Sequence, residues 1–244
     1  MTNPVHEGGF ASGRTTSWLS AAAAATLADM QCTLFDYFRS SACYRVRIAL
    51  NLKGLVYDAV AVNLLEGVQK EAAFRARNPQ GLVPLLEIDG RSLTQSLAIC
   101  DYLDATRPEP PLVPPEPADR AHVLALALAI ACDIHPLNNL RVLGYLKGPL
   151  GQPQEARDAW YRHWVAEGLA ALEALAAPRA GRFLFADAPT LADICLVPQM
   201  YNARRFAVPL DPYPTLVRAD SEATAHPAFA AAHPDVIQAR TQEC

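Results

Sequence analysis

The sequence predicts an α/β domain followed by an all-α domain, and three observations predict it. Between Cys32 and Thr106, short β-forming runs alternate with apolar-periodic helical runs in the order β-α-β-α-β-β-α. A stretch with six prolines, RPEPPLVPPEP at Arg107–Pro117, then interrupts regular structure and reads as a linker. Beyond it, from residue 118 to about 235, the pattern changes to long helical runs, leaving 236–244 as a tail.

The elements follow in order. Thr33–Tyr37 alternates and is rich in β-formers, so it reads as a strand. Ser40-Ser41 precedes a run in which Cys43, Val46 and Leu50 repeat at helical spacing, ending near Lys53-Gly54. Tyr57–Asn63 reads as a second strand and Gln69–Arg77 as a helix. Val83–Ile88 is a third strand, with Pro84 at its start where no ladder donor is needed. Asp89-Gly90 is a hairpin signal that returns the chain through Arg91–Leu93, and Ser96 caps a helix to about Thr106. Beyond the linker, Asp119–Asp133 is apolar nearly all round and reads as a central buried helix. Trp160, Trp164, Leu172 and Leu175 mark the packing face of another. Thr190 and Asp193 form a capping signal for a helix that Pro198 should end or kink.

Composition narrows the class. At 244 residues and 51% hydrophobic, the chain has ample material for a core. A net charge of −4 argues against a nucleic-acid surface. No apolar run is read as reaching membrane-spanning length. The six cysteines (Cys32, Cys43, Cys100, Cys132, Cys195 and Cys244) form no CxxC pair, so they read as free thiols of a reducing, cytoplasmic compartment rather than as a metal site. Residues 1–31, with five alanines at Ala21–Ala25, form a compositionally separate extension, disordered or loosely helical, for which Met30 is an alternative start and a targeting peptide another reading.

Candidate chemistry begins at FRSSACYRVRIAL, Phe38–Leu50. A helix N-terminus offers unpaired N–H groups and partial positive charge, and hydroxyls there can donate to an anion such as a thiolate. Arg39, Arg45 and Arg47 add charge around the turn. Ser40 and Ser41 can equally be a plain N-cap. His135 closes an apolar helix before Pro136; it is a core or capping histidine, or a site lining if the helix continues and places Asn139 on the same face, with Arg141 extending the polar cluster. Arg39 and Arg205 are surface residues or, if they share a pocket, bidentate carboxylate binders. Trp160 and Trp164 read as core.

The α/β order is that of a thioredoxin-like domain, in which the proline at the start of the third strand is usually cis. Together with a proline-rich linker and a helical domain, it resembles a glutathione transferase, and the segments FRSSACYRVRIALNLKG, NPQGLVPLLEIDG, QSLAICDYLDATRP, DIHPLNNLRVL, TLADICLVPQ and RRFAVPLDPYPTL resemble the zeta class in particular, over roughly Thr33 to Ala230. The resemblance implies glutathione as cofactor and a homodimer. It implies that Ser40 and Ser41 bond the glutathione sulfur, that the Val83 backbone beside Pro84 holds the cysteinyl part, and that Gln95 and Ser96 hold the γ-glutamyl group. Gln69, His135, Asn139 and Arg141 would be further cofactor contacts. Arg39 and Arg205 would clamp a dicarboxylate substrate. The eukaryotic motif has cysteine directly after the serines; here Ala42 stands there, and Cys43, rotated ~100° further round the helix, should enter the core. The implied reaction is glutathione-dependent cis–trans isomerisation of maleylacetoacetate to fumarylacetoacetate, with maleylpyruvate as the alternative substrate and a non-enzymatic binding module as the alternative of another class.

Overall fold

The computed structural model describes Met1 and residues 32–242. The rest of the extension at 1–31, and Cys244 in the tail, lie outside the described residues. The first elements are β1 (Thr33–Asp36), α1 (Ser41–Leu52), β2 (Asp58–Ala61), a 3-10 turn at Val68–Lys70, α2 (Ala72–Arg77), β3 (Leu85–Ile88), β4 (Arg91–Thr94) and α3 (Ser96–Thr106). They form one mixed sheet in the order β2-β1-β3-β4. β2 runs parallel to β1, with Thr33 opposite Asp58. β3 is antiparallel to β1, with Leu34 opposite Leu86, and β4 pairs back on β3 through the Asp89-Gly90 turn. This is the thioredoxin-like order. The sequence pattern overran its elements in two places. Strand β3 starts at Leu85 because Pro84 has no N–H for the ladder. The stretch Gln69–Arg77 is not one helix, since extended Glu71 separates the 3-10 turn from α2.

The helical part comprises α4 (Pro117–Leu128), a π turn at Ala129–Ile134, a 3-10 turn at His135–Asn138, α5 (Leu140–Lys147), α6 (Gln154–Ala176), α7 (Leu191–Arg205), α8 (Pro214–Ala225), α9 (Pro227–Ala230) and α10 (Pro234–Gln242). Helix α4 is not buried all round. Val123, Leu126 and Ala127 face inward, while Leu128 is 42% exposed, because the neighbouring helices cover one side only. With its continuation, the stretch Pro117–Lys147 is apolar and long enough by composition to cross a membrane, at mean hydropathy 1.5, which the sequence reading had not allowed. The π and 3-10 turns break it, and it packs on α6 and α7.

On α6 the buried stripe is Tyr161, Val165, Leu169, Leu172 and Ala176. The two tryptophans lie one position off this stripe and are only half-buried, and Leu175 faces solvent. Trp160 uses its position to donate Nε1–H to the Leu137 carbonyl at 2.9 Å. Helix α7 continues past Pro198 rather than ending there. The proline forfeits one backbone bond, but the helix is buried from Leu191 to Met200, and that packing outweighs the loss. Its start is held by Asp193, whose carboxylate accepts from the backbone N–H groups of Thr190 and Leu184, each at 2.8 Å.

One buried cation joins the two parts. Arg47 is fully buried on α1, and its Nη1 donates to Asp36 at 2.6 Å, its Nη2 to the Phe38 carbonyl at 2.9 Å and its Nε to the Ala232 carbonyl at 3.1 Å. Asn51 adds a bond to the Ala228 carbonyl at 2.8 Å. Asp36→Ala would leave the guanidinium buried without its anion. It should lower the unfolding free energy by about 3–5 kcal/mol in urea melts, and adding Arg47→Met should recover part of that loss.

Candidate active site

The turn fixed by Arg47 leads directly into the α1 N-terminus. Ser40 is the N-cap, and its Oγ accepts from the Cys43 N–H at 3.2 Å. Ser41, the first helical residue, is buried, and its Oγ accepts from Asn202 Nδ2 at 2.7 Å. Each hydroxyl oxygen thus receives one bond and keeps its own proton to donate. Cys43 is fully buried in the core, and burial pushes its thiol pKa up, so it is no rival nucleophile.

Two cations reach this end of the helix. Arg39 donates to the Tyr37 hydroxyl at 3.1 Å and lies over the Phe38 ring at 5.0 Å. Arg205, exposed at the last position of α7, donates Nη1–H to Asn202 Oδ1 at 3.2 Å and lies over the Tyr201 ring at 5.7 Å. Burial raises the pKa of Tyr201, and both Arg205 and Arg39 pull against that rise, so both charges act on one phenol. Through Asn202, Arg205 reaches Ser41, and Arg39 stands on the turn beside Ser40, which places these four residues at the α1 N-terminus. Arg204 points away and pairs with Asp220.

A second helix N-terminus stands at α3. Its N-cap is Gln95, with φ +68°, and not Ser96, which is the first helical residue. Gln95 is exposed and donates to Gln80 Oε1 at 2.9 Å. Ser96 is buried, and its Oγ lies 3.4 Å from Arg45 Nη1. Arg45 is itself buried, with Nε and Nη2 unpartnered and no carboxylate pair among the described residues. An uncompensated buried cation beside a helix N-terminus favours an anion there. Nearby, the Val83-Pro84 peptide is cis. The loop before it is braced by Asn78, which donates to the Leu82 carbonyl at 2.7 Å and accepts from the Gln80 N–H at 3.1 Å. Gln69 packs against this loop, buried, with its Oε1 unpartnered. Gly81 makes the contact possible, since its φ is +60° and a Cβ there would lie 2.8 Å from the Gln69 carbonyl oxygen.

The third cluster departs from the sequence reading. His135 and Asn139 do not share a helical face, because the chain passes through a 3-10 turn and Asn139 is extended, with φ −77° and ψ 164°. Asn139 instead caps α5, accepting from the Arg141 and Val142 N–H groups at 2.9 and 3.3 Å. Arg141 is exposed. The buried amide is Asn138, whose Oδ1 has no partner. Burial, reinforced by the Arg45 charge, pushes the His135 pKa down to about 3. Close packing holds this turn: a Cβ on Gly168 of α6 would come within 2.3 Å of Ile134 Cγ1. Asn138 and Asn202 were missed by sequence reasoning, and Arg45, read there as adding charge around the serine turn, instead reaches Ser96. The signals were faint: Arg45 is a charge inside an apolar helix face four residues after Ser41, and Asn202 precedes Arg205 by three.

A thioredoxin-like sheet with a helical partner, and two helix N-termini set for anions, define a thiol-cofactor enzyme architecture. Residues 34–111 match the family described as Glutathione S-transferase, N-terminal domain. Maleylacetoacetate isomerase of Rhizobium meliloti is 51% identical over 203 residues, covering 83% of this chain and 95% of that protein. The solved structure of a bacterial maleylpyruvate isomerase, a zeta-class glutathione transferase, is 44% identical with a TM-score of 0.82, covering 84% of this chain and 97% of that one. Maleylacetoacetate isomerase from Anaeromyxobacter dehalogenans, with glutathione bound in its active site, is 48% identical with a TM-score of 0.77, covering 84% and 96%. Another structure of that protein holds dicarboxyethyl glutathione and citrate in the active site. The chain belongs to the glutathione transferase family, in its zeta class.

The His135 environment has a pH consequence. The unfolded histidine takes up a proton near 6.5, whereas the folded one does so only near 3. Stability should therefore fall as pH drops through that interval. His135→Gln should flatten this part of a urea-midpoint-against-pH profile.

Proposed function

We propose that this protein is a glutathione-dependent cis–trans isomerase that converts maleylacetoacetate to fumarylacetoacetate in tyrosine and phenylalanine breakdown. The observation that carries the reading is the convergence of two serine hydroxyls with Arg39 and Arg205 at the α1 N-terminus. The residues present fit the cofactor. The buried, unpaired Arg45 behind Ser96 suits a carboxylate at the α3 N-terminus, and the free Oε1 of Gln69 suits an N–H donor. Gln95, Ser96 and the Val83 backbone would hold the cofactor along β3 and α3, with His135 facing it from the helical side.

When bound, glutathione supplies a thiolate that adds to the cis double bond, permits rotation and departs, so it is regenerated. Ser40 and Ser41 hold that thiolate by donating their free protons. Arg39 and Arg205 bind the substrate carboxylates and offset the negative charge that develops during addition. Neutral His135 adds no competing charge. Maleylpyruvate, another keto-substituted cis-dicarboxylate, is the second reading, supported by the relative that bears its name.

The protein acts in the cytoplasm as a homodimer. The uncovered apolar side of α4, with Leu128 at 42% exposed, supports the dimer, and the buried free thiols of Cys32, Cys43, Cys100 and Cys195 support the reducing compartment. Sedimentation should report twice the monomer mass, and Leu128→Glu should shift it toward monomer.

Turnover of maleylacetoacetate should require added glutathione and should exceed turnover of maleylpyruvate in kcat/KM; equal rates without glutathione would remove the cofactor role. Arg205→Ala should lower kcat/KM by roughly ten- to a hundredfold, the loss of one charge-assisted contact of ~1.5–3 kcal/mol, with glutathione affinity nearly unchanged. Ser96→Ala should do the reverse and weaken glutathione binding in calorimetry first.

A further inference from the structure

We propose that Asn202 is a positioning residue that aims the Ser41 proton at the cofactor sulfur and ties it to the charge on Arg205. The inference rests on the function proposed above and concerns a residue, Asn202, to which that reading gave no role. Asn202 is buried on α7, and it bridges two groups from different parts of the chain. Its Oδ1 accepts from Arg205 Nη1 at 3.2 Å, and its Nδ2 donates to Ser41 Oγ at 2.7 Å.

The direction of this chain is set by chemistry. A guanidinium can only donate, so the amide must turn its oxygen to Arg205. Its nitrogen then faces Ser41 and can only donate. Ser41 Oγ is thereby made an acceptor toward α7, and its single proton is turned away from Asn202. Ser40 has no such partner; its oxygen serves the backbone cap. The structure thus distinguishes the two serines: Ser41 is the donor oriented from α7, whereas Ser40, which also keeps its proton, is oriented only by the backbone cap. Bonds in series polarise one another, so the Arg205 charge makes the Ser41 hydroxyl a stronger donor to an anion. A thiolate held by Ser41 and a carboxylate held by Arg205 then share one relay, which links the cofactor side to the substrate side. The charged groups nearest Ser41 along the chain and across its helix include Arg39 on the preceding turn, Arg45 one turn further along α1, and Arg47 paired with Asp36. None of these is altered in the test.

The test reads the pKa of glutathione thiol bound to the protein, by titrating thiolate absorbance in the ultraviolet, with glutathione affinity taken by calorimetry. Asn202→Ala removes the donor to Ser41 and should raise the bound thiol pKa by about 1, a tenfold loss of thiolate at a fixed pH well below it. Asn202→Asp keeps the shape and the Arg205 contact but offers Ser41 an acceptor, so it should raise the pKa at least as much; being isosteric, it answers if the alanine variant does not fold. In a Ser41→Ala background, Asn202→Ala should add no further rise. Affinity for the thiol form should stay within about twofold throughout, which a merely structural role would not give. An unchanged thiol pKa in Asn202→Asp, or an undiminished effect of Asn202→Ala without Ser41, overturns the relay while leaving the isomerase reading in place. If the unaltered protein does not depress the thiol pKa of bound glutathione, the thiolate reading falls and the relay with it.

Discussion

The interaction on which the site depends is the buried contact set of Arg47. A guanidinium with no access to water is costly unless its nitrogens are bonded, and here the partners are the end of β1, the turn carrying Arg39 and Ser40, and the Ala232 carbonyl near the C-terminus. Because the same side chain serves all three, the serine turn cannot move independently of the sheet or of the terminal helices. Desolvating an ion pair is costly, so this arrangement is better understood as a means of fixing one geometry than as a source of net stability.

A contrasting use of charge appears at Arg45. It is buried like Arg47, yet its Nε and Nη2 have no partners and no carboxylate pairs with it among the described residues. Folding alone would not favour that state. It makes sense as a cost offset when an anion arrives at the α3 N-terminus beside Ser96. Burial, with the Arg45 charge behind it, keeps His135 neutral near physiological pH. Arg47 is thus paired within the protein and Arg45 is not, although the two lie two residues apart on one helix.

The helical part contributes by interruption. A regular continuation of α4 would have carried His135 and Asn139 round together. The π turn at Ala129–Ile134 and the 3-10 turn after it instead bury Asn138 and leave Asn139 as a cap. Gly168 permits the close packing on Ile134 that this turn requires. Helix α7 does the opposite and continues past Pro198, so Asn202 and Arg205, three residues apart, are joined to each other and, through Asn202, to Ser41 at the α1 N-terminus.

The sequence by itself determined the element order, the sheet's strands, the hairpin at Asp89-Gly90, the serine turn and the family. Each of these is written in local signals: period-2 and period-3.6 patterning, turn residues and a contiguous motif. It also placed Cys43 in the core, from a rotation of one residue on a helix. Tertiary structure alone decided the rest. Whether α4 is buried depends on which neighbours cover it, and periodicity carries no information about that. The failure of Pro198 to break α7 came from packing along the whole helix, which outweighs one missing backbone bond. The separation of His135 from Asn139 came from a π turn with no sequence period of its own. The placement of Arg45 and Asn202 became visible only in three dimensions, because a buried cation without an anion and an amide joining two distant side chains are relations between segments, and no single segment encodes them.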